Sequence, residues 1–186
     1  LWRREREQRI EWERRASTAA LELDVVECGE GWIWDAGGVR IAAFEVDHRP
    51  MQPAFGFLFE TDGCRVVFSG DTTVCDNLIA WAKGADLLVH ECFIHREMVA
   101  RRGGRIDQGL ENVAAYHTLS SEVGKVASKA GARALLLNHF VPVAFDPDAL
   151  VAEVTADFAG PVVTGEDLLS IDVPNRTVGF ERLRVA

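Results

Sequence analysis

Val66-Val67-Phe68-Ser69-Gly70-Asp71-Thr72-Thr73 is an apolar run of β character that breaks at a Gly-Asp turn. A buried strand that delivers a carboxylate at its C-terminal tip puts an acid where the backbone approaches closely and water can be controlled. In a layered α/β fold that is the usual place for a metal ligand or a base. Asp71 is therefore the residue from which the rest of a site is sought.

Upstream of this stretch the pattern is β. Ala54 to Glu60 and Cys64 to Ser69 are apolar runs joined by Asp62-Gly63, the composition of a tight hairpin turn. Before them Val39 to Val46 reads as a strand ending at Asp47-His48, and Trp32-Ile33-Trp34 and Leu21 to Val26 read as strands separated by glycine turns. Residues 1 to 20 form a separate charged segment, with Arg and Glu alternating and no Gly or Pro within the first 16, and are expected to be helical on the surface.

Downstream, strands alternate with helices. Asn77 to Lys83 has helical apolar spacing with Gly84 as its cap, and Asp86 to Val89 is a short strand followed at once by His90-Glu91. Residues 93 to 113 give no clear period, and Arg101 to Arg105 reads as a loop. A helix capped by Ser120 or Ser121 runs to Ala130, and the strand Ala134 to Leu137 leads into Asn138-His139. A further helix opens at Asp146 or Pro147 and ends near Phe158, and short strands at Val162-Val163, Leu168 to Val173 and Val178 to Phe180 close the chain. Strands first and strand-helix alternation afterwards define an α/β, layered α+β architecture: residues 21 to 186 make half of a sheet sandwich with helices outside.

The bulk properties narrow the function. With 186 residues, 48% hydrophobic and 26% charged, the chain suits one globular domain. Its apolar runs are of strand length, short of the roughly 20 residues a membrane helix needs, and Leu1 to Glu7 contain no secretory apolar core. The four cysteines are scattered without a Cys-x-x-Cys pair, as expected of free thiols in a cytoplasmic protein. A net charge of −9 argues against a broad surface for extended nucleic acid. The absence of an initiator Met suggests that the natural chain starts earlier.

His48, Asp71, His90-Glu91 and His139 each follow an apolar strand, and His117 precedes a helix. Strand ends on one side of a sheet meet in space, so these side chains can converge. Their surroundings resemble the metallo-β-lactamase superfamily, and within it the ribonuclease Z-like metal-dependent hydrolases. The resemblance rests on Val46-Asp47-His48 followed by Pro53-Ala54-Phe55-Gly56-Phe57, on Phe68-Ser69-Gly70-Asp71-Thr72, on Leu87-Leu88-Val89-His90-Glu91, on His117-Thr118 with Ser121 and Glu122, and on Leu136-Leu137-Asn138-His139-Phe140.

The resemblance implies half of an αββα sandwich and two divalent metal ions, zinc in the first place and manganese or iron as substitutes. His48, Asp71 and His139 would be the metal ligands, with Asp71 bridging, and Glu91 would orient His117 towards the scissile group. Imidazole and carboxylate donors suit such ions, and a water shared between two of them loses its proton near neutral pH and becomes a nucleophile. The reaction implied is hydrolysis of a phosphoester, sulfate ester or lactone, with tRNA 3′ processing, or a binding module without activity, as the alternatives.

Two departures qualify this. No pair of histidines has the family's His-x-His-x-Asp-His spacing, so the remaining ligands must come from elsewhere, foremost from an N-terminal half of the same domain. Asp71 follows His48 by only 23 positions, which leaves no room for the long arm that grips tRNA. Together with the acidic charge this favours a small-molecule ester or phosphoester substrate. A homodimer is the expected assembly.

Overall fold

The computed structural model describes residues 2–12, 14, 26–61 and 63–180. Leu21 to Val25, read as part of the first strand, lie outside these residues, as does Asp62 of the hairpin turn. The unbroken Arg/Glu run forms α1 (Trp2–Glu11), as expected of residues that lose little side-chain freedom in a helix.

β1 (Gly31–Ala36), β2 (Val39–Val46), β3 (Ala54–Thr61) and β4 (Cys64–Phe68) form an antiparallel meander. From β4 onward the pairing is parallel, through β5 (Leu87–Phe93), β6 (Leu135–Val141) and β7 (Val162–Thr164), giving among the described residues one seven-stranded sheet in chain order. Parallel neighbours require crossovers, which are supplied by α2 (Asp76–Trp81), by α3 (His95–Arg101), α4 (Gln108–Ala114) and α5 (Ser120–Ala130), and by α6 (Pro147–Thr155). β8 (Leu169–Asp172) and β9 (Thr177–Phe180) form a separate hairpin.

One face of the sheet is the core. Ala42, Phe44, Val46, Leu58, Val67, Leu88, Leu135 and Leu137 pack against Leu78 of α2, Val123 and Val126 of α5, and Leu150 and Val154 of α6. The apolar positions of α5 fall at helical spacing, and Gly131 ends the helix in the left-handed conformation that caps it. The opposite face is just as apolar, with Phe57 opposite Phe68, Phe59 opposite Val66, Val89 opposite Leu136, and Leu136 opposite Val163. There Phe55, Phe57, Phe59, Val66, Leu136 and Val163 are only half-buried and Phe68 is exposed. Sheets with parallel strands are normally covered on both faces, so this one presents a surface made for a second layer.

The elements differ from the sequence reading in four places. β5 and β6 run through His90-Glu91 and Asn138-His139 instead of stopping before them, because both ladders continue past the polar residues. Residues 93 to 113 contain α3 and α4, and α4 buries a single residue, Leu110, which is too little apolar pattern to show a period. α5 is preceded by Leu119 at its cap position and not by a serine, and α2 ends at Trp81 with Ala82, not Gly84, at its C-cap.

Candidate metal centre

The C-terminal ends of β2, β4, β5 and β6 meet at one edge of the sheet. After β4 the chain turns at Gly70, with φ +61°, and a Cβ there would come within 2.5 Å of the Phe55 carbonyl oxygen. Only glycine fits, and the turn swings Asp71 over the strand ends. This loop is tied to the end of β2: the Asp47 N–H donates to Thr72 Oγ1 at 3.1 Å and the Thr73 N–H to the Asp47 carbonyl at 2.8 Å.

His48 Nδ1 lies 2.8 Å from the Tyr116 carbonyl oxygen. A carbonyl only accepts, so Nδ1 carries the proton and Nε2 keeps its lone pair, the tautomer suited to metal binding. The ring stands edge-on to Tyr116 and 5.3 Å from the ring of His117.

Glu91 is the buried acid of the group. Its Oε1 accepts the N–H groups of Thr72 at 2.8 Å and Thr118 at 3.2 Å, and both carboxylate oxygens lie 3.0 Å from His117 Nδ1. Thr118 Oγ1 donates to the Thr72 carbonyl at 2.6 Å, which closes the two loops around the carboxylate. With Nδ1 held by Glu91 and its ring stacked on Phe93, His117 has Nε2 left for the site. Burial, the largest single influence on His117, opposes its protonation, but the hydrogen bond and charge of Glu91 and the charge of Asp71 prevail and raise its pKa.

His139 reaches the site through an irregularity. β5 and β6 pair Glu91 with Asn138 and then Cys92 with Phe140, so His139 is an extra residue in β6, and its φ of +44° is left-handed. Such a bulge re-aims a side chain that strict alternation would send to the other face. His139 Nε2 lies 3.5 Å from Asp71 Oδ2, and ligand atoms of Asp71, His117 and His139 all fall within 4.8 Å of one another. Two donors on one tetrahedral zinc, each bonded at about 2.0–2.2 Å, sit about 3.3–3.6 Å apart, so the Asp71–His139 spacing fits a shared cation. These two side chains are 39% and 46% exposed and face a trough of about 370 Å³ lined by Phe55, Phe57, Phe59, Phe68, Glu91 and Asn138.

The structure thus brings Asp71, His117, His139 and Glu91 together, with His48 against His117. It groups His117 with Asp71 and His139 by donor distance, whereas the sequence reading takes His48 with them as ligand and His117 as catalytic. Glu122, part of one motif, lies outside the cluster and pairs with Lys125. Ser69, Thr72, Thr118 and the Tyr116 carbonyl, which hold the functional side chains, received no role from sequence. Most of them act through backbone or hydroxyl groups that any loop carries. Cys92, buried beside the site, has its thiol pushed up to about 12 by burial and serves as packing.

Comparison with known proteins identifies the family. The family model described as "Beta-lactamase superfamily domain" matches residues 3–140. A ribonuclease Z of Mycobacterium tuberculosis (strain ATCC 25618 / H37Rv) is 36% identical over 162 residues, 86% of this chain and 58% of the relative. A ribonuclease Z of Mycolicibacterium paratuberculosis is 37% identical over 157 residues, 82% of this chain and 55% of the relative. The chain therefore spans little more than half the length of these two relatives. Among solved structures, the metallo-beta-lactamase fold protein YhfI from Bacillus subtilis is 27% identical with a TM-score of 0.56, covering 72% of this chain and 49% of that one.

Proposed function

This chain belongs to the beta-lactamase superfamily as a ribonuclease Z-like member, and from that premise we propose that it forms one wall of a two-metal hydrolytic centre acting on a phosphoester bond, with sulfate ester and lactone bonds as related substrates. The observation that carries the reading is the convergence of Asp71, His117 and His139 donor atoms within 4.8 Å, with a buried carboxylate behind His117.

Asp71 through its carboxylate oxygens, and His48 and His139 each through Nε2, would hold the cations; zinc, manganese or iron suit these donors. Bound there, the ions would acidify a water towards a pKa of about 7 and polarise the scissile bond. Glu91 fixes the His117 ring through Nδ1, leaving Nε2 to donate a proton to the departing oxygen. The Thr72 and Thr118 N–H groups hold the Glu91 carboxylate, so His117 reaches the reaction already oriented.

His48, Asp71 and His139 fill only part of such a centre. We take the remaining ligands, and the layer that covers the phenylalanine face, to come from the N-terminal half of the same domain. The half-buried Phe57, Phe59 and Val66 and the exposed Phe68 support this, as does the greater length of the relatives.

The name of the relatives favours a second reading, cleavage of an RNA phosphodiester, over the small-molecule expectation. The chemistry is shared and the substrate differs. In this chain the interval from His48 to Asp71 is filled by β3 and β4 and their turns, which favours the smaller substrate. Assaying the protein at its natural length with an activated phosphodiester and with a tRNA precursor separates the two. Cleavage of the precursor at a higher kcat/KM would assign RNA, and metal-dependent turnover of the small ester alone would assign the first reading.

A further inference from the structure

His90 is wholly buried in β5 and takes no part in the site described above, yet it carries an unsatisfied polar atom. Its Nδ1 lies 2.8 Å from the Glu91 carbonyl oxygen, so Nδ1 is the donor, and Nε2 is left inside the protein with no partner among the described residues. A buried imidazole with half its hydrogen bonding unmet is costly, and an apolar side chain would fill a strand interior without that cost.

Its position accounts for it. The Glu91 carbonyl stands where the β5–β6 register slips between Glu91 and Cys92, the slip that brings His139 into the site. On the other side of the same residue the Glu91 N–H donates to Ser69 Oγ at 3.1 Å, and Ser69 Oγ donates in turn to the Gly70 carbonyl at 2.6 Å. Both main-chain groups of Glu91 are thus held by side chains at the point where the regular ladder is interrupted.

We infer that His90 and Ser69 are positioning residues which clamp the Glu91 backbone at the β-bulge and so fix the carboxylate that orients His117. The Ser69 link continues through Gly70 to Asp71, so one chain of hydrogen bonds sets the acid behind His117 and the turn that carries Asp71. This rests on the proposed hydrolytic role of Glu91 and His117.

The test uses the protein at its natural length, assayed with an activated phosphodiester alongside its metal content. His90→Leu keeps the bulk and removes the donor, and kcat falls about 10- to 100-fold while KM and bound metal are unchanged. His90→Asn returns an N–H near the position of Nδ1 and restores most of that loss. Ser69→Ala lowers kcat in the same way. A kcat for His90→Leu within about twofold of the wild type, or an equal fall in His90→Leu and His90→Asn, overturns the inference and leaves the hydrolase reading intact. Should His90→Leu not fold, Ser69→Ala decides alone, and an unchanged kcat overturns the clamp. Wild-type protein without metal-dependent hydrolysis overturns the functional reading, and the clamp with it.

Discussion

Replacing His90 by Asn should remove an acid-sensitive component of stability, and the structure sets its size. Burial pushes the His90 imidazole down from its ordinary value of 6.5 to about 4, with the hydrogen bond to the Glu91 carbonyl opposing only in part. In the unfolded chain the ring takes up a proton near 6.5, whereas in the folded protein it stays neutral until about 4. The stability tied to the neutral ring is complete above pH 6.5 and is lost as the pH falls through this window. Each pKa unit is worth 1.36 kcal/mol, so the full shift amounts to about 3 kcal/mol. Between pH 7 and pH 5.5 the wild type should lose about 1 kcal/mol more than His90→Asn, and down to pH 4.5 about 2 kcal/mol more. Other titrating groups, including His117 with its opposite shift, cancel in the difference between the two proteins. Denaturant unfolding of both proteins across this range measures it. Parallel stability curves would refute the assignment of His90 as a buried neutral imidazole.

Further predictions concern the turn, the bulge and the acid. Gly70→Ala forces a left-handed non-glycine residue and a 2.5 Å contact with the Phe55 carbonyl, so it should cost about 2–4 kcal/mol and depress activity by displacing Asp71; chemical denaturation and turnover check both. His139→Gly and His139→Ala should be equally inactive, but the glycine variant should be more stable by about 1 kcal/mol because position 139 has φ +44°, which thermal unfolding can resolve. Glu91→Gln keeps the shape but removes the charge behind His117, and kcat should fall about 10- to 100-fold with little change in KM.

Much of this architecture was legible in the sequence. Phe55, Phe57 and Phe59 alternate with Gly56 and Leu58, so β3 is apolar on both faces, the mark of a strand meant to be covered twice. Val66 to Asp71 and Val39 to His48 end abruptly in polar residues, and those ends do meet, tied by Thr72 and Thr73 to Asp47. What the sequence hid follows from physics that side-chain identity does not record. His139 arrives by a register slip in a left-handed conformation without a glycine to announce it. His48 is oriented by a main-chain carbonyl of Tyr116, and Glu91 by main-chain N–H groups of Thr72 and Thr118. α3 and α4 escaped notice because they bury almost nothing, so no apolar period marks them.

The central claim is that Asp71 lies at the heart of a metal-dependent hydrolytic site. Its most direct test is to measure bound divalent metal and metal-dependent phosphodiester hydrolysis in the natural-length protein, in its Asp71→Ala variant, and in Glu122→Ala as a surface control. The wild type and Glu122→Ala should bind metal and turn over substrate alike, while Asp71→Ala should lose metal and at least about 100-fold in kcat/KM. No metal in the wild type after reconstitution, or equal activity in the Asp71 and Glu122 variants, would contradict it.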